Sequence, residues 1–204
     1  MNPNSLTIKT YNLIAKEYSE KVKGLVPLEE LEKFANYVEG KNILDIGCGS
    51  GVAAKELQER GFNVFGIDLS RKLINESQKT SPSSTFEEMD MRNLLFEDKY
   101  FDGIWHVASL LHLEKKDAPM ALSEAYRVLK KNGIMYLSIK MGEGERLEKD
   151  GRYGGLKKYY AYYREEEMNS ILENIGFKVL ENYSISYKDN YRIAHPWINI
   201  FAKK

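Results

Sequence analysis

The stretch Ile43–Gly51, ILDIGCGSG, has the residue types and spacing of a ligand-binding turn. An apolar run ends in Gly47, Cys48, Gly49, Ser50 and Gly51, with Asp45 two residues before the first glycine. Glycines at such a strand-to-helix turn accept positive φ and let the backbone approach a ligand without Cβ obstruction. The helix expected from Val52 starts with unsatisfied N–H groups, which suit a polar or anionic group. The next apolar run, Val64–Ile67, ends at Asp68. An acidic residue about twenty positions beyond a glycine turn can accept from two adjacent ribose hydroxyls. It could also serve only as the cap of the helix that follows. These residues predict an adenosine-type nucleotide on a Rossmann-like sheet.

The details discriminate between nucleotides. The spacing is GxGxG, not the GxGxxG of pyrophosphate binders. Asp45 would repel a pyrophosphate but can bind an ammonium, directly or through water. S-adenosylmethionine has an α-amino group and no phosphate, so it fits where NAD, and hence a dehydrogenase, fits poorly. Asp90 follows the third expected strand and could accept from an adenine amine, or could be a turn aspartate.

Methyl transfer from a sulfonium is an in-line displacement with a neutral leaving group. The protein must align the reacting atoms and exclude water. A base helps only where the acceptor is not already an anion. His106 and His112 flank the exit of the fourth expected strand; each could be a base or a packed structural histidine. Lys140 ends the fifth strand, and Arg152 follows in a glycine-rich, charged segment, Met141–Tyr163, read as a loop. Lys140 and Arg152 could hold an anionic acceptor, or pair with carboxylates of their own loop. Tyr159, Tyr160, Tyr162 and Tyr163 could form an aromatic wall, a partner interface or core. Cys48, the only cysteine, reads as a small buried residue, and no metal site is predicted.

The elements that must position these groups alternate. Two amphipathic helices open the chain, the first carrying Tyr11, Ile14, Ala15 and Tyr18 on one face, the second Leu28, Leu31, Phe34, Ala35 and Val38. Strands are expected at 42–46, 63–67, 85–88, 101–107 and 134–140, with helices at 52–60, 71–79 and around 118–129. Such βαβ units imply a mostly parallel sheet. A helix around 168–175 and strands at 177–187 and 197–202, joined by a loop at 188–196, complete the chain. It is read as one domain over 1–204: a helical cap at 1–40, a cofactor-binding half at 41–140 and an acceptor-side segment at 141–204.

Composition bounds the partners. Thirty basic residues balance thirty acidic ones, so no strong field for nucleic acid is expected. No run approaches the ~18 apolar residues of a membrane span, and the start, MNPNSLTIKTYN, lacks a secretory apolar run. The expectation is a cytoplasmic monomer or homodimer acting on a small molecule, with no nucleic acid and no membrane.

In order along the chain stand ILDIGCGSG, VFGIDLS (Val64–Ser70), MDM (Met89–Met91), FDGIWHVASLLHL (Phe101–Leu113) and EAYRVLKKNGIMYLS (Glu124–Ser138). From about Tyr11 onwards the chain resembles the class I S-adenosylmethionine-dependent methyltransferases, nearest to the type-11 or type-12 small-molecule branch. The resemblance implies a three-layer α/β sandwich with a seven-stranded sheet of order 3-2-1-4-5-7-6, strand 7 antiparallel, capped by the N-terminal helices. It implies that Asp45, Gly47, Cys48, Gly49 and Gly51 surround the methionine portion of the cofactor. Asp68 would take the ribose, Leu69 and Met91 the adenine faces, and Asp90 the adenine amine. His106 would lie near the sulfonium, and Tyr11 and Tyr18 would close over the cofactor or merely pack as core aromatics. Lys140, Gly142, Gly144, Glu145, Asp150-Gly151-Arg152, Tyr162-Tyr163 and Trp197-Ile198-Asn199 resemble a bacterial branch of that family. The stretch Tyr153–Tyr160 is longer than that branch's pattern, which leaves the place of Arg152 open. Methyl transfer to O, N or S of a small molecule, possibly anionic, yielding S-adenosylhomocysteine, is the implied activity. The alternatives are an RNA or protein methyltransferase and a non-catalytic cofactor-binding partner subunit.

Overall fold

The computed structural model describes residues 3–186, 188–189, 192–193 and 196–204. Helices α1 (Pro3–Val22) and α2 (Leu28–Tyr37) lead into β1 (Asn42–Ile46), α3 (Val52–Glu59), β2 (Asn63–Asp68), α4 (Arg71–Thr80) and β3 (Thr85–Glu88). Then come β4 (Phe101–Val107), α5 (Ala118–Val128), β5 (Leu129–Lys140), β6 (Glu145–Asp150), β7 (Leu156–Ala161) and α6 (Glu165–Ile175). The chain finishes with β8 (Lys178–Ile185), β9 (Lys188–Asp189), β10 (Arg192–Ile193) and β11 (Trp197–Lys203).

Seven strands form the main sheet in the order β3-β2-β1-β4-β5-β11-β8. Counted within the sheet alone, this is the expected order, and β11 runs antiparallel to both β5 and β8. Side-chain alternation divides the core between two faces. Leu44, Ile46, Met135 and Leu137 pack towards α5 and α6 through Leu122, Ala125, Met168 and Leu172. Ile43, Val64, Tyr136 and Phe201 pack towards α2, α3 and α4 through Leu31, Phe34, Leu57 and Ile74. The central strands β1, β4, β5 and β11 are buried on both faces, as parallel α/β sheets require, and the edge strands β3 and β8 are more exposed.

Three expectations are corrected. Met141–Tyr163 is not a loop: β6 and β7 form an antiparallel hairpin with Glu145 opposite Ala161 and Asp150 opposite Leu156. β6 reads ERLEKD, mostly exposed and without apolar alternation, and the last four residues of β7 are all buried. Neither strand therefore shows the half-buried period of two. β5 also begins earlier than expected, at Leu129, with Asn132 at φ 65 and a register shift against β4. The loop expected at 188–196 contains β9 paired with β10, and the remainder of that stretch lies outside the described residues.

Candidate active site

The carboxyl ends of β1, β2 and β4 meet at the glycine turn. Gly47 has φ +72, and a Cβ there would stand 2.1 Å from the Cβ of Ser109. Only glycine lets the exit of β1 pass the exit of β4 so closely. Ser109 Oγ fastens the approach by donating to the Ile46 carbonyl at 2.7 Å. The amides of Gly47 and Cys48 both donate to the Ile67 carbonyl, at 2.8 and 2.9 Å. Asp68 braces the turn from the other side: Oδ2 accepts from the Gly49 amide at 3.1 Å and Oδ1 from the Ser70 amide at 2.8 Å. The cap of α4 is Ser70, whose Oγ accepts from Leu73 N, and not Asp68.

Burial sets the charge of this corner. Asp45 is 3% exposed, and its Oδ2 has no hydrogen-bond partner among the described residues. Burial, then the neighbouring Asp68, pushes its carboxyl up to about 8. Burial also lifts Asp68, to about 6, against the backbone N–H bonds that favour its charged form. The Cys48 thiol is buried and pushed up by burial, Asp45 and Asp68, the opposite of an activated nucleophile.

In front of the turn lies an open cleft of about 750 Å³, a volume that includes the solvent at its mouth. Its walls include Gly47, Gly49, Asp68, Leu69, Met91 and His112, with Tyr11 and Tyr18 contributed by α1. Helix α1 is anchored over the cleft. Asn12 Oδ1 accepts from Ser70 Oγ at 2.9 Å and from Lys72 N at 3.1 Å. Thr10 Oγ1 donates to the Lys157 carbonyl, and Tyr159 N donates to Thr7 Oγ1. Asn12 and Ser109 thus shape the site without any signal in the sequence motif: their contacts are long-range and carry no periodicity.

The two candidate histidines differ. His112 ends a short 3₁₀ turn, Leu110–His112, on the cleft wall. Its Nδ1 lies 2.7 Å from the Tyr159 carbonyl, which can only accept, so the proton is on Nδ1. Nε2 then accepts from the Tyr11 hydroxyl at 2.9 Å. Burial, helped by Lys158 and Lys140, takes His112 down to about 3, against the pull of the Tyr159 carbonyl. His106 is 1% exposed in β4, is taken down to about 3 by burial, and is not on the cleft wall. The wall there is Val107, Ala108 and Ser109.

Asp45, Cys48, Gly51, Asp90, Lys140 and Arg152 are also off the wall. Gly51, φ +77, instead admits Ser77 of α4, 2.9 Å from where its Cβ would be. Asp90 Oδ1 accepts from Arg92 N and Nε, and Oδ2 from Nη2 at 2.6 Å, while its neighbours Met89 and Met91 line the cleft. Arg152 likewise spends its fork on Asp150, at 3.0 and 2.9 Å. Lys158, 1% exposed, donates to the same carboxylate at 2.9 Å. Its Nζ lies 4.5 Å from the ring centre of Tyr11 and 4.7 Å from that of Tyr153. Tyr159, Tyr160, Tyr162 and Tyr163 are all buried, so the tyrosine run is hairpin core and not an exposed interface. Among the described residues no cluster of three or more His, Cys, Asp or Glu is arranged for a metal.

The donor and acceptor set fits an aminoacyl nucleoside. The Asp45 carboxyl behind the turn, with its Oδ2 unpartnered among the described residues, would suit an ammonium, Asp68 would suit ribose hydroxyls, and Leu69, Met89 and Met91 offer apolar faces to a flat base.

Residues 44–137 match the model of the methyltransferase domain family described as "Methyltransferase domain". YqeM of Bacillus subtilis is 33% identical over 136 residues, covering 63% of this chain and 55% of YqeM. The malonyl-[acyl-carrier protein] O-methyltransferase of Erwinia billingiae is 31% identical over 110 residues, covering 54% of this chain and 43% of that protein. The chain thus spans about half the length of these relatives. A solved S-adenosylmethionine-dependent methyltransferase of Methanosarcina mazei superposes with a TM-score of 0.76 at 23% identity, covering 88% of this chain and 97% of that one. With its glycine turn, its acidic partners and its sheet order, the chain is similar to methyltransferase domains over residues 44–137 and shares the fold of solved S-adenosylmethionine-dependent methyltransferases.

Proposed function

We propose that the protein transfers a methyl group from S-adenosylmethionine to an O, N or S atom of a small molecule, with all of 1–204 working as one unit. The observation that carries this reading is the Asp45 carboxyl behind the Gly47–Gly49 turn, whose buried Oδ2 has no hydrogen-bond partner among the described residues: burial holds it protonated, and the cofactor's ammonium would restore its charge. When bound, the cofactor supplies an activated methyl group on a neutral leaving group. Asp45 would hold the ammonium, Asp68 the ribose, and Leu69, Met89 and Met91 the base. Tyr11 and Tyr18, on the anchored α1, would exclude water from the sulfonium side.

Both histidines are held near 3, far below the range in which a base is effective at neutral pH. This supports an acceptor whose attacking atom is already unprotonated, including an anionic one. The O-methyltransferase activity of the Erwinia billingiae relative supports oxygen as the accepting atom. Balanced charge supports a small molecule over RNA. Among the described residues no helix is long and apolar enough to cross a membrane, which supports a cytoplasmic setting. Incubation with methyl-labelled S-adenosylmethionine and fractionated cell metabolites, with mass spectrometry of labelled products, tests the reading. A labelled small molecule is expected; label only in RNA or protein, or none at all, contradicts it.

A further inference from the structure

Where β5 ends against the β6–β7 hairpin, cations outnumber carboxylates. Arg146 pairs with Glu148 at 2.8 Å, and Arg152 and Lys158 share Asp150. Glu148 also accepts from the Tyr162 hydroxyl at 2.8 Å. Lys140 is different. Its ammonium stands 3.9 Å from the ring centre of Tyr160 and 5.7 Å from that of Tyr162, and has no hydrogen-bond acceptor among the described residues. The half-buried position disfavours its charge; Glu148 and Asp150 draw it back at a distance, and Arg152 and Lys158 oppose them, so the net shift is downward. An ammonium that is partly desolvated, faces aromatic rings and lacks an acceptor has an unmet electrostatic requirement.

Its place in the fold connects it to the cleft. Lys140 is the last residue of β5, at the carboxyl edge where α/β folds bind ligands. The Tyr160 ring on which it rests lies 5.0 Å from the His112 ring, and His112 lines the cleft. A lysine's flexible stem and three donors let its charge follow a ligand in a way that a guanidinium already forked onto a carboxylate cannot.

Resting on the methyl-transfer reading, we propose that the acceptor carries an oxyanion group, of the carboxylate class, anchored by Lys140 beside Tyr160, while its reacting atom lies in the cleft near Tyr11 and His112. Lys140, and not Arg152, is the anion anchor, because Arg152 is already neutralised by Asp150. Anchoring by a single flexible cation selects acceptors by charge and leaves the rest of the molecule to be chosen by the apolar cleft wall.

The test uses the full chain with isotope-labelled lysine, with and without S-adenosylhomocysteine. Benzoate, phenylacetate and hexanoate are titrated, each beside its neutral amide. The carboxylates are expected to shift the Lys140 ε-carbon signal and to bind at least about tenfold better than the amides. Lys140→Gln should bring carboxylate binding down to the amide level while S-adenosylhomocysteine affinity stays within about twofold. Arg152→Gln should leave the carboxylate preference in place. Carboxylates that bind no better than their amides, or equally well to Lys140→Gln, overturn the proposal. Failure to bind S-adenosylhomocysteine would instead overturn the underlying methyl-transfer reading, and the carboxylate–amide comparison still decides the role of Lys140.

Discussion

The Tyr11 hydroxyl donates to His112 Nε2 across 2.9 Å, joining two residues 101 positions apart. Because Nδ1–H is committed to the Tyr159 carbonyl, this one imidazole ties α1, the exit of β4 and the hairpin into a single wall. Tyr11→Phe leaves the buried Nε2 acceptor without a partner, a loss of about 1–3 kcal/mol. The melting temperature should fall by roughly 2–4 °C for each kcal/mol lost. In the parent protein the His112 ring signals should stay neutral from pH 8 down to pH 5. Titration of His112 near its ordinary value in the parent contradicts the burial and bonding described here.

Asp45 and Asp68 make the unliganded protein sensitive to alkali. Both carboxyls are raised, to about 8 and about 6, so the folded chain holds protons that the unfolded chain releases near ordinary carboxylate values. Their contribution to stability is complete at acid pH below those ordinary values and is lost as pH rises through about 6 and then about 8. An ammonium beside Asp45 reverses its preference. Binding of S-adenosylhomocysteine at neutral pH should therefore expel a proton, seen as buffer-dependent heat in calorimetry. Affinity should rise from pH 6 towards 8, and Asp45→Asn should remove most of that slope. Buffer-independent heat, with unchanged affinity in Asp45→Asn, contradicts the assignment.

Asp68, which we propose takes the ribose, also braces the glycine turn. Asp68→Ala removes the acceptor of the Gly49 and Ser70 amides, so cofactor affinity should fall by about 1–3 kcal/mol. The fold should survive, because Ser70 caps α4 independently. Thermal melting and S-adenosylhomocysteine titration on one preparation check this. Unchanged affinity with a much lower melting temperature would make Asp68 purely structural.

The sequence motifs made the glycine turn and its neighbouring strand ends legible and left the hairpin after β5 obscure. ILDIGCGSG and VFGIDLS encode local chemistry, a turn that needs glycine and an acid at a strand end, and Gly47, Asp45 and Asp68 meet where those motifs converge. Asp90 and Arg152 show the limit of such reading. Each had a partner two residues away, Arg92 and Asp150, that takes up its charge. His106 and His112 look alike in sequence, yet only His112 reaches the cleft, because the 3₁₀ turn after β4 directs it there. The hairpin was hidden because β6 is an exposed charged strand and the end of β7 is covered throughout.

The buried Asp150–Lys158 pair should behave asymmetrically. Burial pushes the Asp150 carboxyl up, but the hydrogen bonds from Arg152 and Lys158 outweigh it and hold the group well below the ordinary carboxylate range. Its stabilising contribution is present above the ordinary value and is lost as pH falls towards the folded one. Asp150→Ala strands the fully buried Lys158 and should cost about 3–5 kcal/mol. Lys158→Met leaves Asp150 with Arg152 and should cost clearly less. Denaturant titrations of both variants check the order; equal losses would mean that Lys158 has another partner.

The most direct test of the cofactor assignment is calorimetric titration of the full chain with S-adenosylhomocysteine and, separately, with NAD. Saturable one-to-one binding of S-adenosylhomocysteine, with no heat from NAD, is the expected result. Saturable NAD binding with none of the sulfur nucleoside would contradict it.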